Sequence, residues 1–133
     1  LVDVALSETE REVVRCGAFV RVELGERYVF RDGARASTAF VGIVNGELKA
    51  FANVCMHHPT PLDSNEFEEA PIDARTRLPI APMTEDGARL LCLTHGAEFE
   101  RGDGRCTVGP CFGQSLVEIT VEASDSGGIL LRL

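Results

Sequence analysis

The 133-residue sequence predicts an all-β protein built from short antiparallel strands. Three observations carry this. Short runs alternate apolar and polar residues, the period of a strand with one buried face. Gly, Pro, Asn and Asp punctuate those runs at turn-like intervals. Only residues 6–14 hint at a helical turn, so no helical layer is available to cover a sheet.

The elements follow in chain order. Residues 18–24 alternate and form a strand, and the run "RYVF" forms a second short strand ending at the Asp32-Gly33 turn. The stretch "TAFVGIVNGELKAFANVC" holds two strands joined at Asn45-Gly46. That dipeptide tolerates the positive φ angles that a tight hairpin needs. The second of these strands runs directly into Cys55. Residues 88–93 form a short apolar strand leading into Cys92, and "AEFERGDGR" forms a hairpin with Gly102 and Gly104 at its tip. Residues 116–121 alternate cleanly, and "GGILLRL" supplies the last strand. Between the halves, residues 63–87 contain Pro71, Pro79 and Pro82, many charges and little periodicity. They read as a solvated insertion, with a docking or lid element as the functional alternative.

The length suits one domain, residues 1–133, with a core that needs no disulfide framework. A net charge of -8 repels phosphate backbones and anionic lipid, so the expected partner is a protein with a basic face rather than nucleic acid. No apolar run reaches bilayer length, and no basic segment precedes an apolar one at the start. The expectation is a cytoplasmic chain without a membrane anchor.

Five cysteines and three histidines carry the chemistry. Cys55-Met56-His57 is a C-x-H pair. Cys92-Leu93-Thr94-His95 is a C-x-x-H pair. Two soft sulfurs and two imidazoles can hold one tetrahedral zinc ion. They can equally hold a [2Fe-2S] cluster, with both cysteines on one iron and both histidines on the other.

The flanking residues resemble the Rieske family. Its first motif, C-x-H-x-G-x-x-L, is matched by "CMHHPTPL" at every fixed position but the Gly, and its second, C-x-x-H-G-x-x-F, is met by "CLTHGAEF". Gly96, Phe99, Gly104, Gly109 and Pro110 also fall in the family's places. The resemblance implies a [2Fe-2S] cluster held by Cys55, His57, Cys92 and His95, with the imidazoles bound through Nδ1. It implies an antiparallel β-sandwich base carrying a small cluster-binding subdomain, formed from about residues 55–62 and 91–112, with 63–87 as an insertion. It implies a one-electron carrier that takes electrons from a reductase and passes them to a terminal oxygenase or similar enzyme. The alternative is a non-catalytic small subunit or regulatory module of a larger oxidoreductase. A self-sufficient oxygenase is not expected, because only His58 remains once the ligands are assigned.

Neutral imidazoles make the oxidised cluster formally neutral, so it accepts an electron more readily than a four-cysteine cluster. High-potential members carry a Ser and a Tyr at the positions of Ala97 and Phe99, and cysteines at those of Thr60 and Thr94. Ala97 and Phe99 cannot donate hydrogen bonds to sulfur. The resemblance therefore implies a ferredoxin-type centre at the low end of the Rieske range, roughly -150 mV. Pro59 replaces the usual Gly of the first motif and offers no N–H.

The remaining candidates have plainer readings. His58 is a loop residue beside the ligand. Cys106 and Cys111, flanking Gly109-Pro110, read as two small, partly buried thiols, with a disulfide as the alternative. Cys16 reads as a packing residue. Glu66, Glu68, Glu69 and Asp73 read as solvated charges, or else as a docking patch.

Overall fold

A computed structural model describes all residues except 31–32, 56–59, 65–68, 112 and 126. Among the described residues there are nine strands and one helix. These are β1 (Val2–Val4), α1 (Glu8–Arg15), β2 (Val20–Val29), β3 (Arg35–Val44), β4 (Glu47–Ala52), β5 (Arg89–Leu91), β6 (Glu98–Glu100), β7 (Cys106–Val108), β8 (Glu118–Ala123) and β9 (Ile129–Arg132).

Six strands form the base, an antiparallel sheet in the order β1-β9-β8-β4-β3-β2. Its outer strands β1 and β2 touch, so the sheet curls to near closure. The other three strands form a small antiparallel lobe in the order β5-β6-β7. The predicted hairpin at Asn45-Gly46 is present, with φ of 53° and 82° at its two residues. It joins β3 to β4 in tight register, Val44 opposite Glu47. The two strands read separately between residues 18 and 30 are one strand, β2, interrupted by a register shift between Glu23 and Tyr28. That irregularity broke the alternation and made one strand look like two. The helical hint at 6–14 becomes α1. Ser7 caps it, accepting from the Glu10 N–H while the Glu10 carboxylate accepts from the Ser7 N–H.

Period two explains how base and lobe meet. On β3 and β4, Ala39, Val41, Ala50 and Ala52 point into the curled sheet with Val20, Val22 and Leu131. Their neighbours Phe40 and Phe51, which are partners in the β3–β4 register, point the other way. Together with Phe19 they form the floor on which the lobe packs through Leu90, Phe99, Cys106 and Leu116. Successive residues of a strand face opposite sides, so strands covered on both faces read as nearly unbroken apolar runs. That is the pattern of "TAFVGIV" and "KAFANV". Gly104, at φ +77°, is required at this seam, since a Cβ there would lie 2.8 Å from the Phe51 ring.

The described part of segment 63–87 is packed more closely than a solvated insertion. Arg21 N–H donates to the Pro79 carbonyl at 3.0 Å and Ala81 N–H to the Phe19 carbonyl at 2.8 Å. The segment thus lies along the free edge of β2 and covers backbone groups that would otherwise be unpaired. Ala81 is buried in the lobe core. Among the described residues, no helix is long and apolar enough to cross a membrane.

Candidate metal centre

Two loops at the tips of β4 and β5 converge. The first begins at Cys55, whose N–H donates to the Thr60 carbonyl at 2.8 Å and closes the loop. Met56 to Pro59 lie outside the described residues, and with them the predicted ligand His57, its neighbour His58 and the Pro59 departure. The second loop turns from β5 into β6. Cys92 N–H donates to the Ala97 carbonyl at 2.8 Å, and Gly96 N–H to the Cys92 carbonyl at 2.9 Å. Gly96 takes φ +74° to complete this turn. Cys92 is fully buried, whereas His95 stands exposed at the apex.

The two cysteines come from loops far apart in sequence, yet both are fully buried and their side chains are hydrogen-bonded to each other. That bond is the main cause bringing the Cys92 pKa down to about 6, against the opposing effect of burial. The backbone N–H groups of Thr94 and His95 and the Thr94 hydroxyl add to it. The site favours thiolate, the form that binds metal. Neither Cys55 nor Cys92 is in a disulfide. The structure thus brings the Cys55 and Cys92 sulfurs together inside, with His95 exposed on the turn that follows Cys92; among the described residues no three His, Cys, Asp or Glu side chains are grouped closely enough to hold a metal ion. Two buried sulfurs in contact suit the cysteinyl half of a mixed-ligand iron-sulfur centre.

Cys106 and Cys111 are not the pair of thiols expected from sequence; they are joined in a disulfide. The turn at Gly109-Pro110 folds the end of β7 back, bringing the two Cα atoms to 5.9 Å, within bridging reach. A spacing of five residues cannot reveal this without the turn geometry. The bridged turn seats Gly109, at φ +103°, against the second loop, where a Cβ would lie 3.0 Å from the Ala97 Cα. Only glycine permits so close an approach. Phe99 is buried beneath the loop, and neither it nor Ala97 brings a side-chain donor.

The loops are tied to each other without a covalent link. Leu93 N–H donates to the Leu62 carbonyl at 3.0 Å, and the Thr94 hydroxyl to the Ser64 carbonyl at 3.2 Å. Of the acidic candidates, Glu69 is exposed and Asp73 half-buried, while Glu66 and Glu68 lie outside the described residues. The Asp73 carboxylate accepts from the N–H and hydroxyl of Thr76, which lowers its pKa and shapes the 73–76 turn. Cys16 is the C-cap of α1 and is exposed, so it is not the packing residue expected. Sequence reasoning missed Asn53 and Asp63, buried polar residues on either side of the first loop. An Asn at the end of an otherwise apolar run was the available clue.

The family model described as the Rieske [2Fe-2S] domain matches residues 6–122. Among solved structures, the chain is similar to the plasma membrane Rieske protein PetC3 from Synechocystis PCC 6803. The TM-score is 0.56 at 16% identity, covering 100% of both chains. It is also similar to the ferredoxin of carbazole 1,9a-dioxygenase from Nocardioides aromaticivorans IC177. There the TM-score is 0.54 at 17% identity, covering 98% of this chain and 97% of the other. At these identities the likeness is one of fold. No curated protein matches.

Proposed function

Because the chain belongs to the Rieske [2Fe-2S] domain family, an electron-transfer domain, we propose that it holds one cluster on Cys55, His57, Cys92 and His95 and carries single electrons from a reductase to a terminal oxygenase or similar acceptor. The supporting observation is the meeting of Cys55 and Cys92, buried and hydrogen-bonded, with His95 exposed on the turn that follows Cys92. The bound cluster supplies a reversible one-electron couple.

The chain's own residues set the terms. Cys55 and Cys92 anchor the inner side, where burial excludes water. His95 presents its imidazole to solvent, the natural contact for a redox partner. The Thr94 and His95 N–H groups aimed at the Cys92 sulfur stabilise negative charge there. Ala97 and Phe99 withhold the hydroxyl donors of high-potential relatives, which favours a potential near the bottom of the Rieske range, roughly -150 mV. The net charge of -8 suits a partner with a basic docking face. A ferredoxin of similar fold serves a dioxygenase, which supports the same role here. In a cytoplasmic setting the Cys106–Cys111 bridge, with both residues at most 2% exposed, is shielded from thiol reductants.

The test is spectroscopic. Purified protein should contain iron and acid-labile sulfide, and after reduction should show a rhombic electron paramagnetic resonance signal typical of mixed histidine–cysteine ligation. Stoichiometric zinc with no such signal would overturn the proposal.

A further inference from the structure

The first ligand loop is fastened to the base by a buried polar chain that includes a charge. Asp63 is 6% exposed and stands directly after that loop. Its Oδ2 accepts from Arg21 Nη1 at 2.7 Å, and its Oδ1 from Asn53 Nδ2 at 3.0 Å. Arg21 lies on β2, and Asn53 follows β4. Asn53 Nδ2 also donates to the Thr38 hydroxyl at 3.0 Å, and Asn53 Oδ1 accepts from the Leu62 N–H at 2.8 Å. The Leu62 carbonyl then accepts from the N–H of Leu93, the neighbour of Cys92. A continuous hydrogen-bonded path therefore runs from the base, through both flanks of the first loop, to the second.

From this path we infer that Asp63 is a positioning residue for the metal centre, orienting the Asn53 amide so that both cysteine-bearing loops are held in register. The inference rests on the proposed cluster for its functional meaning, and its geometry stands without it. The direction of each bond is forced. A backbone N–H requires an oxygen, so Asn53 Oδ1 must face Leu62 and Nδ2 must face Asp63. Only an acceptor at position 63 can satisfy both that amide and the Arg21 guanidinium. Loss of Asp63 would leave those donors without their acceptor, and loss of either donor would leave the buried carboxylate short of a partner; both are costlier than never having had the pair.

The arrangement predicts a specific rescue. In Asp63→Asn the new side chain has one acceptor for two donors, so it confronts either Arg21 or Asn53 donor to donor. In the exchange variant Asn53→Asp with Asp63→Asn, every bond can form again. The carboxylate introduced at position 53 would accept from Leu62, from the Thr38 hydroxyl and from the amide at 63, while that amide's oxygen accepts from Arg21. A merely bulky or charged filler would not behave this way.

Two measurements on the holoprotein decide it: bleaching of the visible absorbance by a chelator, and hydrogen exchange of peptides covering Leu62 and Leu93. Asp63→Asn should bleach about tenfold faster than wild type, with both peptides exchanging faster. The exchange variant should return to within about twofold of wild type, as expected for coupled neighbours. Arg21→Met, at a partly exposed strand position, should shift both readouts in the same direction by less, and it serves if Asp63→Asn does not fold. Wild-type retention and exchange in both Asp63→Asn and Arg21→Met would overturn the inference, as would an exchange variant no better than the single one. Wild-type protein lacking iron and sulfide would overturn the cluster reading instead, while hydrogen exchange still decides the clamp.

Discussion

The base and the lobe are built on different terms. The base has six strands, two of them ten residues long, and a core of small and branched aliphatics such as Ala39, Val41, Ala50 and Leu131. The lobe has three strands of three residues and a core of Phe, Leu and Cys. A sheet of that size cannot bury enough apolar surface to stand alone. It is held by what is added to it: the Phe19, Phe40 and Phe51 floor lent by the base, the Cys106–Cys111 bridge, and the Asp63 clamp. The difference teaches where function resides. The base is stabilised by repetition of one weak rule, whereas the lobe depends on a few particular side chains, and the candidate centre lies in the lobe.

This contrast can be broken or sharpened by mutation. The largest effect should come from Phe51→Ala, which opens a cavity between the two regions. Phe51 is fully buried and packs on Phe19 with ring centroids 6.1 Å apart. The expected loss is about 3–5 kcal/mol in denaturant unfolding. If the base alone kept its full stability while the lobe melted, the regions would be less coupled than the shared floor indicates.

An intermediate effect is expected from replacing both Cys106 and Cys111 by Ser. The loop they close is short, so the entropic loss is about 2 kcal/mol. It should appear as faster hydrogen exchange in β7 and the 92–97 turn, with β3 and β4 unaffected. Equal loosening of base and lobe would contradict the view of the bridge as a local staple.

The smallest effect concerns the hairpin before β5. The Asp86 carboxylate accepts from the Thr84 hydroxyl at 2.6 Å and from the Ala88 N–H at 3.0 Å, which lowers its pKa below the usual 3.8. A depressed carboxyl stabilises the fold above its unfolded value, and that contribution is lost as pH falls through the folded one. Asp86→Asn should therefore differ slightly from wild type in melting temperature above about pH 4 and converge with it in stronger acid. The group is exposed, so the difference should be small. A difference that persisted unchanged in strong acid would exclude the charge as its cause.

Much of this was legible beforehand, for reasons that differ by element. Asn45-Gly46 announced a hairpin because its backbone preference is local and strong. The strands at 89–91 and 118–123 were legible because burial imprints a period on the chain. The three-residue β1 was not, since Val2–Val4 is a strand only by pairing with β9 at the far end of the sequence. The disulfide was likewise hidden, because it depends on how tightly the Gly109-Pro110 turn folds. For the site, motif spacing nominated Cys55, His57, Cys92 and His95; the described residues, which leave out His57, show the two cysteines in contact and His95 exposed on the turn after Cys92.

The sequence by itself determined the chemistry on offer: two C-and-H pairs, an acidic surface, and alternating runs committed to strands. These are properties of residue type and spacing, and they survive in an unfolded chain. Only the tertiary structure decided that Phe40 and Phe51 face the lobe as a floor, that Cys106 reaches Cys111, and that Arg21, Asn53 and Asp63 meet around the first loop. Each of those is a contact between segments far apart along the chain or turned upon one another. No local preference encodes such contacts, because their free energy appears only once the sheet has curled and water has been expelled from between its parts.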